Sequence, residues 1–151
     1  MIDKFLNELL VRKHYGDKIY VASGIQNAPQ IMELYKILAE LGFIITYKWA
    51  ELPLPTTVDK LKEIGEQELA GVISANILLV IFPGASGTHI EMGAALASNK
   101  TVVLVGNIEK HCPFYTLTNK WLGYTEFSDT ISELMGYKYI LVTKPQATGK
   151  A

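Results

Sequence analysis

The sequence predicts an α/β fold: a single domain on a doubly wound, mainly parallel five-stranded sheet with helices on both faces. Three observations carry this expectation. Ile77 to Phe82 is an unbroken apolar run of strand length, rich in β-branched residues, the pattern of a strand covered on both faces. Segments of strand and helix character alternate along the chain with short loops between them, which implies βα units and a parallel sheet. The chain has 151 residues and a hydrophobic fraction of 49%, enough for one domain with a core that needs neither disulfides nor metal.

In chain order, Asp3 to Lys13 carries apolar residues at helical spacing, and Gly16-Asp17 stops it. Lys18 to Ser23 follows as a strand. Pro29 to Leu41 is a helix, with Pro in its first turn and Gly42 beyond its end. Phe43 to Lys48 is expected as the next strand, and Pro53 and Pro55 forbid regular structure after it. Asp59 to Ala75 returns to helical periodicity and leads into the Ile77–Phe82 strand, which stops at Pro83-Gly84. Gly87 is expected to free the following turn from Cβ clashes, and Thr88 to cap a helix whose Gly93, Ala94, Ala95 and Ala97 let it lie close to the sheet. Lys100 to Val105 is a strand. Beyond Gly106 the pattern weakens: Pro113 to Leu117 reads as a short helix or loop, Tyr124 to Phe127 as a short strand, Ser128 to Met135 as a helix, and Tyr139 to Val142 as an edge strand or a surface segment. The domain is expected over 1–143, with 144–151 as a flexible tail.

Composition excludes several classes. Lys and Arg number 14 against 15 Asp and Glu, a net charge of -1, so no nucleic-acid-binding surface is expected. No apolar run approaches the roughly 18 residues of a membrane span. With no charged-then-apolar leader either, a soluble cytoplasmic protein without membrane contacts is expected. The single cysteine, Cys112, excludes an internal disulfide. His14, His89 and His111 are far apart in sequence and no H-x-x-x-H or C-x-x-C spacing occurs, so no metal is expected. The phosphate loop G-x-x-x-x-G-K-[ST] is missing as well, and no cofactor is expected.

The crevice at the carboxyl end of a parallel strand is where open α/β folds bind ligands. Glu91 stands there, just inside the helix after the central strand, and no other acidic residue lies between Glu68 and Glu109. The spacing Thr88-x-x-Glu91 is also that of a capping box, in which the glutamate only satisfies a backbone N–H. At a helix N-terminus the local positive charge would favour the ionised carboxylate. Ser23 and Gly24 open the loop after the first strand, where backbone N–H groups can meet a hydroxyl or phosphate.

The run Glu91, Met92, Gly93, Ala94, Ala95 resembles the E-[LM]-G-x-A pattern of the nucleoside 2-deoxyribosyltransferase family. Lys18 to Ser23, KIYVAS, is similar to that family's first strand, with Tyr20 matching the tyrosine beside its nucleophile. Glu68 to Asn76, ELAGVISAN, resembles the helix before the central strand: Glu68 matches its first acid, and Asn76 stands where Asp is usual. Lys100 to Val105 matches the strand after the catalytic helix, so the likeness runs over residues 18–106. It implies a Rossmann-like or flavodoxin-like domain, a nucleoside or nucleotide substrate, attack of Glu91 on the anomeric carbon, and a homo-oligomer whose subunits complete each other's pockets. The chain departs from the pattern at Ala85, where an acid or serine is common and Ser86 is the nearest hydroxyl, and at His89, where Gly is frequent. PGASGTHIE is also similar to the P-G-G-x-G-T-x-x-E signature of the phosphoribohydrolases often labelled lysine decarboxylases, without their G-G-G-x-x-G-L-M segment. Both resemblances imply chemistry at an N-glycosidic bond.

The catalytic candidates are therefore Glu91 and Tyr20, and the substrate-binding candidates Ser23, Gly24, Glu68, Ser86, Gly87 and His89. Tyr20 either holds the carboxylate or packs at a strand end with its hydroxyl in water. Glu68 either contacts the base or faces solvent, and His89 either protonates the leaving base or is a surface residue. Asn76 is expected to cap the preceding helix or pair with backbone. Phe114, Tyr115, Trp121 and Tyr124 either line a base pocket, in this subunit or a neighbour, or belong to core or interface. The loop after the first strand holds no Arg or Lys through Gln30, which favours a nucleoside over a nucleotide. Two functions fit: an enzyme that transfers or hydrolyses the glycosidic bond, and a catalytically inactive nucleotide-sensing module of the same fold, which the changes at Ala85 and Asn76 would permit.

Overall fold

The computed structural model describes residues 2–11, 16–107 and 112–145. Five parallel strands lie in the order β2-β1-β3-β4-β5, with β1 Lys18–Ser23, β2 Ile44–Ile45, β3 Ile77–Ile81, β4 Thr101–Val105 and β5 Lys120–Leu122. β3 is central in sequence and space; all its residues are buried, as the apolar run requires. It pairs with β1 from Ile19↔Ile77 to Ser23↔Ile81, and with β4 from Ile77↔Thr101 to Ile81↔Val105. The chain moves outward one way from β1 and the other way from β3, so the direction switches between these two strands, whose carboxyl ends are where open α/β sheets bind ligands.

Alternate residues of each strand serve two separate cores. Ile19, Val21, Leu79, Ile81, Val103 and Val105 point to the side covered by α1 (Lys4–Val11), α2 (Ala28–Glu40) and α5 (Tyr124–Met135). Tyr20, Ala22, Leu78, Val80, Val102 and Leu104 point to the other, where α3 (Val58–Ser74) supplies Val72, its C-cap Ala75 follows, and α4 (Ser86–Ala97) supplies Met92 and Ala95. The doubly wound architecture thus follows from the two-residue period of the strands.

The structure changes several expected boundaries. The strand expected over Phe43–Lys48 is reduced to Ile44–Ile45. Thr46 still donates its N–H to Ile19 O, but its hydroxyl turns to Gly71 O at 2.8 Å, and the Trp49 indole N–H takes Val21 O at 2.6 Å. An indole therefore occupies the β1 acceptor that a longer strand would use. The strand expected at Tyr124–Phe127 is instead the first turn of α5, and β5 precedes it. Tyr124, Phe127 and Ile131 fall at helical spacing onto the core, and Gly123 starts the helix with its N–H 3.4 Å from Glu126 Oε1.

Tyr139 to Val142 is a surface segment outside the sheet. Tyr139 and Leu141 are buried in alternation with exposed Ile140 and Val142. The hydroxyls of Ser132 and Ser128 hold its backbone at Tyr139 N and Leu141 N. Lys144, expected in the tail, gives its N–H to Asn27 Oδ1 at 2.8 Å; the rest of that expected tail from 146 on lies outside the described residues, as do Lys13, His14 and His111. Among the described residues no helix is long and apolar enough to cross a membrane.

Gly71 sets how closely α3 approaches the sheet. A Cβ there would stand 3.0 Å from Tyr47 Cβ and 3.1 Å from Tyr20 Cδ2, whereas one at Gly65 would meet nothing within 4 Å. Gly71→Val is expected to lower the unfolding free energy by about 1–3 kcal/mol through overpacking. Gly65→Ala is expected to raise it by up to about 1 kcal/mol through helix propensity. Urea unfolding midpoints of the two variants check both signs.

Candidate active site

Tyr20 lies within β1 opposite Leu78 and is fully buried on the α3–α4 side of the sheet. Its hydroxyl donates to Glu91 Oε2, which α4 brings over the strand, and Glu91 is itself only 8% exposed. The capping role open to Glu91 in the sequence belongs elsewhere. The N-cap of α4 is Ala85, and Thr88 in the first turn takes the Ala85 N–H on its Oγ1 at 3.4 Å. Glu91 therefore stands one turn deeper, where the helix N–H groups already have partners. Gly84, not Gly87, makes the turn possible: a Cβ at Gly84 would sit 2.6 Å from Thr88 Oγ1, and one at Gly87 would meet nothing within 4 Å.

This depth reverses the expected electrostatics. Burial pushes the Glu91 carboxyl from 4.5 up to about 7; the Tyr20 hydrogen bond pulls it down, and the charge of Glu68 adds to the rise. Burial, then the Glu91 charge, holds the Tyr20 phenol far above its ordinary range, so Tyr20 remains a neutral donor. Glu68, on α3, is half-buried, and burial raises its carboxyl as well. Its charge acts on Tyr20 and Glu91 together, so α3 contributes a second carboxylate to the neighbourhood of the first.

Three other candidates, Gly24, Ser23 and His89, are tied into the scaffold. Gly24 gives its N–H to Pro83 O at 3.1 Å and so does not offer it to a ligand. Ser23 Oγ accepts from Asn27 Nδ2 at 3.0 Å; the same amide lies 3.4 Å from Pro83 O, just after the cis Phe82–Pro83 bond. His89 has Nδ1 3.0 Å from Ala85 O and Nε2 2.7 Å from the Tyr115 hydroxyl. A carbonyl only accepts, so Nδ1 carries the proton, and in the neutral ring Nε2 accepts from Tyr115. Ser86 and Gly87 are exposed on the first turn of α4. Asn76 Oδ1 accepts the Lys18 N–H at 2.9 Å, a backbone pairing between the starts of β1 and β3.

The aromatic residues after Gly106 divide. Tyr115 is buried against Phe82 and His89 of its own chain, and Tyr124 donates to Phe82 O at 2.7 Å, whereas Phe114 is exposed. Sequence reading missed Asn27, Tyr47 and Trp49. Trp49 had a signal, a large aromatic next to a strand end and a proline-rich loop. Asn27 had none, because its partners Ser23, Pro83 and Lys144 come from three parts of the chain.

The sequence matches no known protein-family profile and no curated protein. Among solved structures, the fold is shared with the CMP N-glycosidase of Clostridium botulinum, at 18% identity and a TM-score of 0.57, covering 79% of this chain and 99% of the other. It is shared also with the 2-deoxyribosyltransferase of Bacillus psychrosaccharolyticus, at 20% identity and a TM-score of 0.60, covering 86% of this chain and 99% of that one. The second of these carries the activity for which the family resemblance seen in the sequence is named.

An acid whose pKa is raised by folding keeps its proton in the native state after the unfolded chain has lost it, so stability falls as pH rises from about 4.5 towards 7. Glu91→Gln removes this penalty. The variant is expected to match the parent near pH 4 and to exceed it at pH 8 by on the order of 3 kcal/mol. Denaturant unfolding at the two pH values measures the difference.

Proposed function

We propose that this chain is an enzyme of the N-glycosidic bond, cleaving or transferring the base of a nucleoside or nucleotide with Glu91 as nucleophile and without metal or cofactor. The observation that carries the reading is the buried Tyr20–Glu91 pair beside the β1–β3 switch point. Loss of a base leaves positive charge on the sugar, while the electron pair of the C–N bond departs with the base. A carboxylate under the anomeric carbon stabilises that charge and bonds to it, and water or a second base then releases the sugar from the opposite face. Tyr20 holds Glu91 by one oxygen and leaves the other for the sugar. The shared fold with an N-glycosidase and a deoxyribosyltransferase supports this reading.

A panel of nucleosides, deoxynucleosides and their monophosphates, read for free base, tests it. Base release that Glu91→Gln abolishes in a folded protein is the expected result. Saturable binding without base release favours the sensing module instead. In the active protein kcat/KM is expected to climb with pH through about 7, as Glu91 ionises.

Tyr20→Phe removes the hydrogen bond that pulls the Glu91 pKa down, so the acid limb of that profile moves to higher pH. One charge-assisted hydrogen bond contributes roughly 1.5–3 kcal/mol, and turnover at pH 7 is expected to fall about tenfold to hundredfold. A wild-type profile in this variant removes Tyr20 from the site.

The proposed macromolecular partner is a second copy of the chain. Leu61, Leu69 and Ile73 share one exposed face of α3 at helical spacing, and Phe114 and Leu117 are exposed on the segment after β4. Light scattering is expected to give a dimer or larger closed assembly; a monomer that turns over substrate places the whole site within one chain.

A further inference from the structure

A cavity of about 350 Å³ lies between α3 and the segment from Tyr47 to Thr56, within the size range of small-ligand sites. Leu52, Pro53, Leu54 and Pro55 form one wall and Ile64 faces them from α3. Gln67 supplies an amide, and the charges of Lys60 and Glu63 meet in an ion pair of 3.2 Å. The lining thus combines apolar walls with neutral hydrogen-bonding groups and no unpaired cation, which suits an uncharged planar heterocycle and not a phosphate.

Tyr47 joins this cavity to the Glu91 site. Its Cβ would stand 3.0 Å from a Cβ on Gly71, the glycine against which the Tyr20 ring also rests. Its side chain lines the cavity together with Glu63, Ile64 and Gln67 of α3, one to two turns before Gly71. That hydroxyl is buried and has no hydrogen-bond partner among the described residues. A buried phenol without a partner destabilises the empty protein and gains when a ligand supplies one.

We propose that this cavity is the subsite for the leaving base and that the Tyr47 hydroxyl, with the Gln67 amide, reads the edge of that base. The proposal rests on the glycosidic reading of Glu91: a sugar above the Tyr20–Glu91 pair would place its base past Glu68, against Tyr47. Tyr47 would therefore set which base is accepted, while Glu91 performs the chemistry.

Calorimetric titration of cytosine, thymine, adenine and hypoxanthine tests the subsite without any turnover. At least one base is expected to bind saturably, equally well to the wild type and Glu91→Gln, and about tenfold more weakly to Tyr47→Phe. The Phe variant should also melt at a higher temperature than the wild type without ligand, because it loses an unpaired buried hydroxyl. No saturable binding of any of the four bases, binding unchanged in Tyr47→Phe, or a lower melting temperature for that variant would each overturn the proposal. The two readings separate cleanly. Base release with an unaltered base preference in Tyr47→Phe removes the subsite and leaves Glu91 in its role, whereas Tyr47-dependent base binding with no base release from any nucleoside keeps the subsite and removes the enzyme.

Discussion

The burial of one carboxylate organises this molecule. Glu91 is nearly out of reach of water, and an anion there is tolerated only because the Tyr20 phenol donates to it. That donor has to be fixed, and its place inside a parallel strand hydrogen-bonded on both sides fixes it. The requirement spreads outward. The Tyr20 ring needs a helix over it without a side chain in the way, which is the service of Gly71, and α4 has to lie close enough to deliver Glu91, which Met92 and Ala95 secure by packing on the sheet. A carboxyl that titrates near neutrality results from this packing.

The carboxyl ends of β1 and β3 are held by side chains that take over backbone hydrogen bonds. The Trp49 indole ends the β2 ladder at Val21 O and draws the following segment over the end of β1. Asn27 joins the loop after β1, the turn after β3 and the backbone at Lys144 with a single buried amide. His89 and Tyr115 close the flank of α4. These contacts tie the segments around Glu91 to one another, the kind of rigid frame that a preorganised site requires.

The small residues of α4 illustrate how a correct pattern can carry a wrong reason. Gly93 and Ala97 were expected to face the sheet, yet both are exposed, and Ala95 with Met92 makes the contact. Gly84 likewise takes the place expected of Gly87 at the turn, and Ala85 the N-cap position expected of Thr88, which stands in the first turn instead. In both cases composition alone does not say which side of a helix meets the sheet, and an error of one turn in the cap moves a carboxylate from the electropositive end of the helix into its buried body.

The order of strands and helices, the parallel sheet and the candidacy of Tyr20 and Glu91 were legible in the sequence, because a two-residue or 3.6-residue period and a glycine or proline stop are local signals. The short β2, the earlier place of β5 and the extended start of α5 were not, since each depends on a partner far along the chain: Val21 for Trp49, and the core for Phe127 and Ile131. The same division holds for the site. Sequence named the carboxylate and the phenol; only the tertiary structure brought together two residues 71 positions apart, buried them, set Glu68 beside them and left the Tyr47 hydroxyl without a partner. Charge, burial and hydrogen bonding act through space, and a linear pattern carries no record of which distant groups will share it.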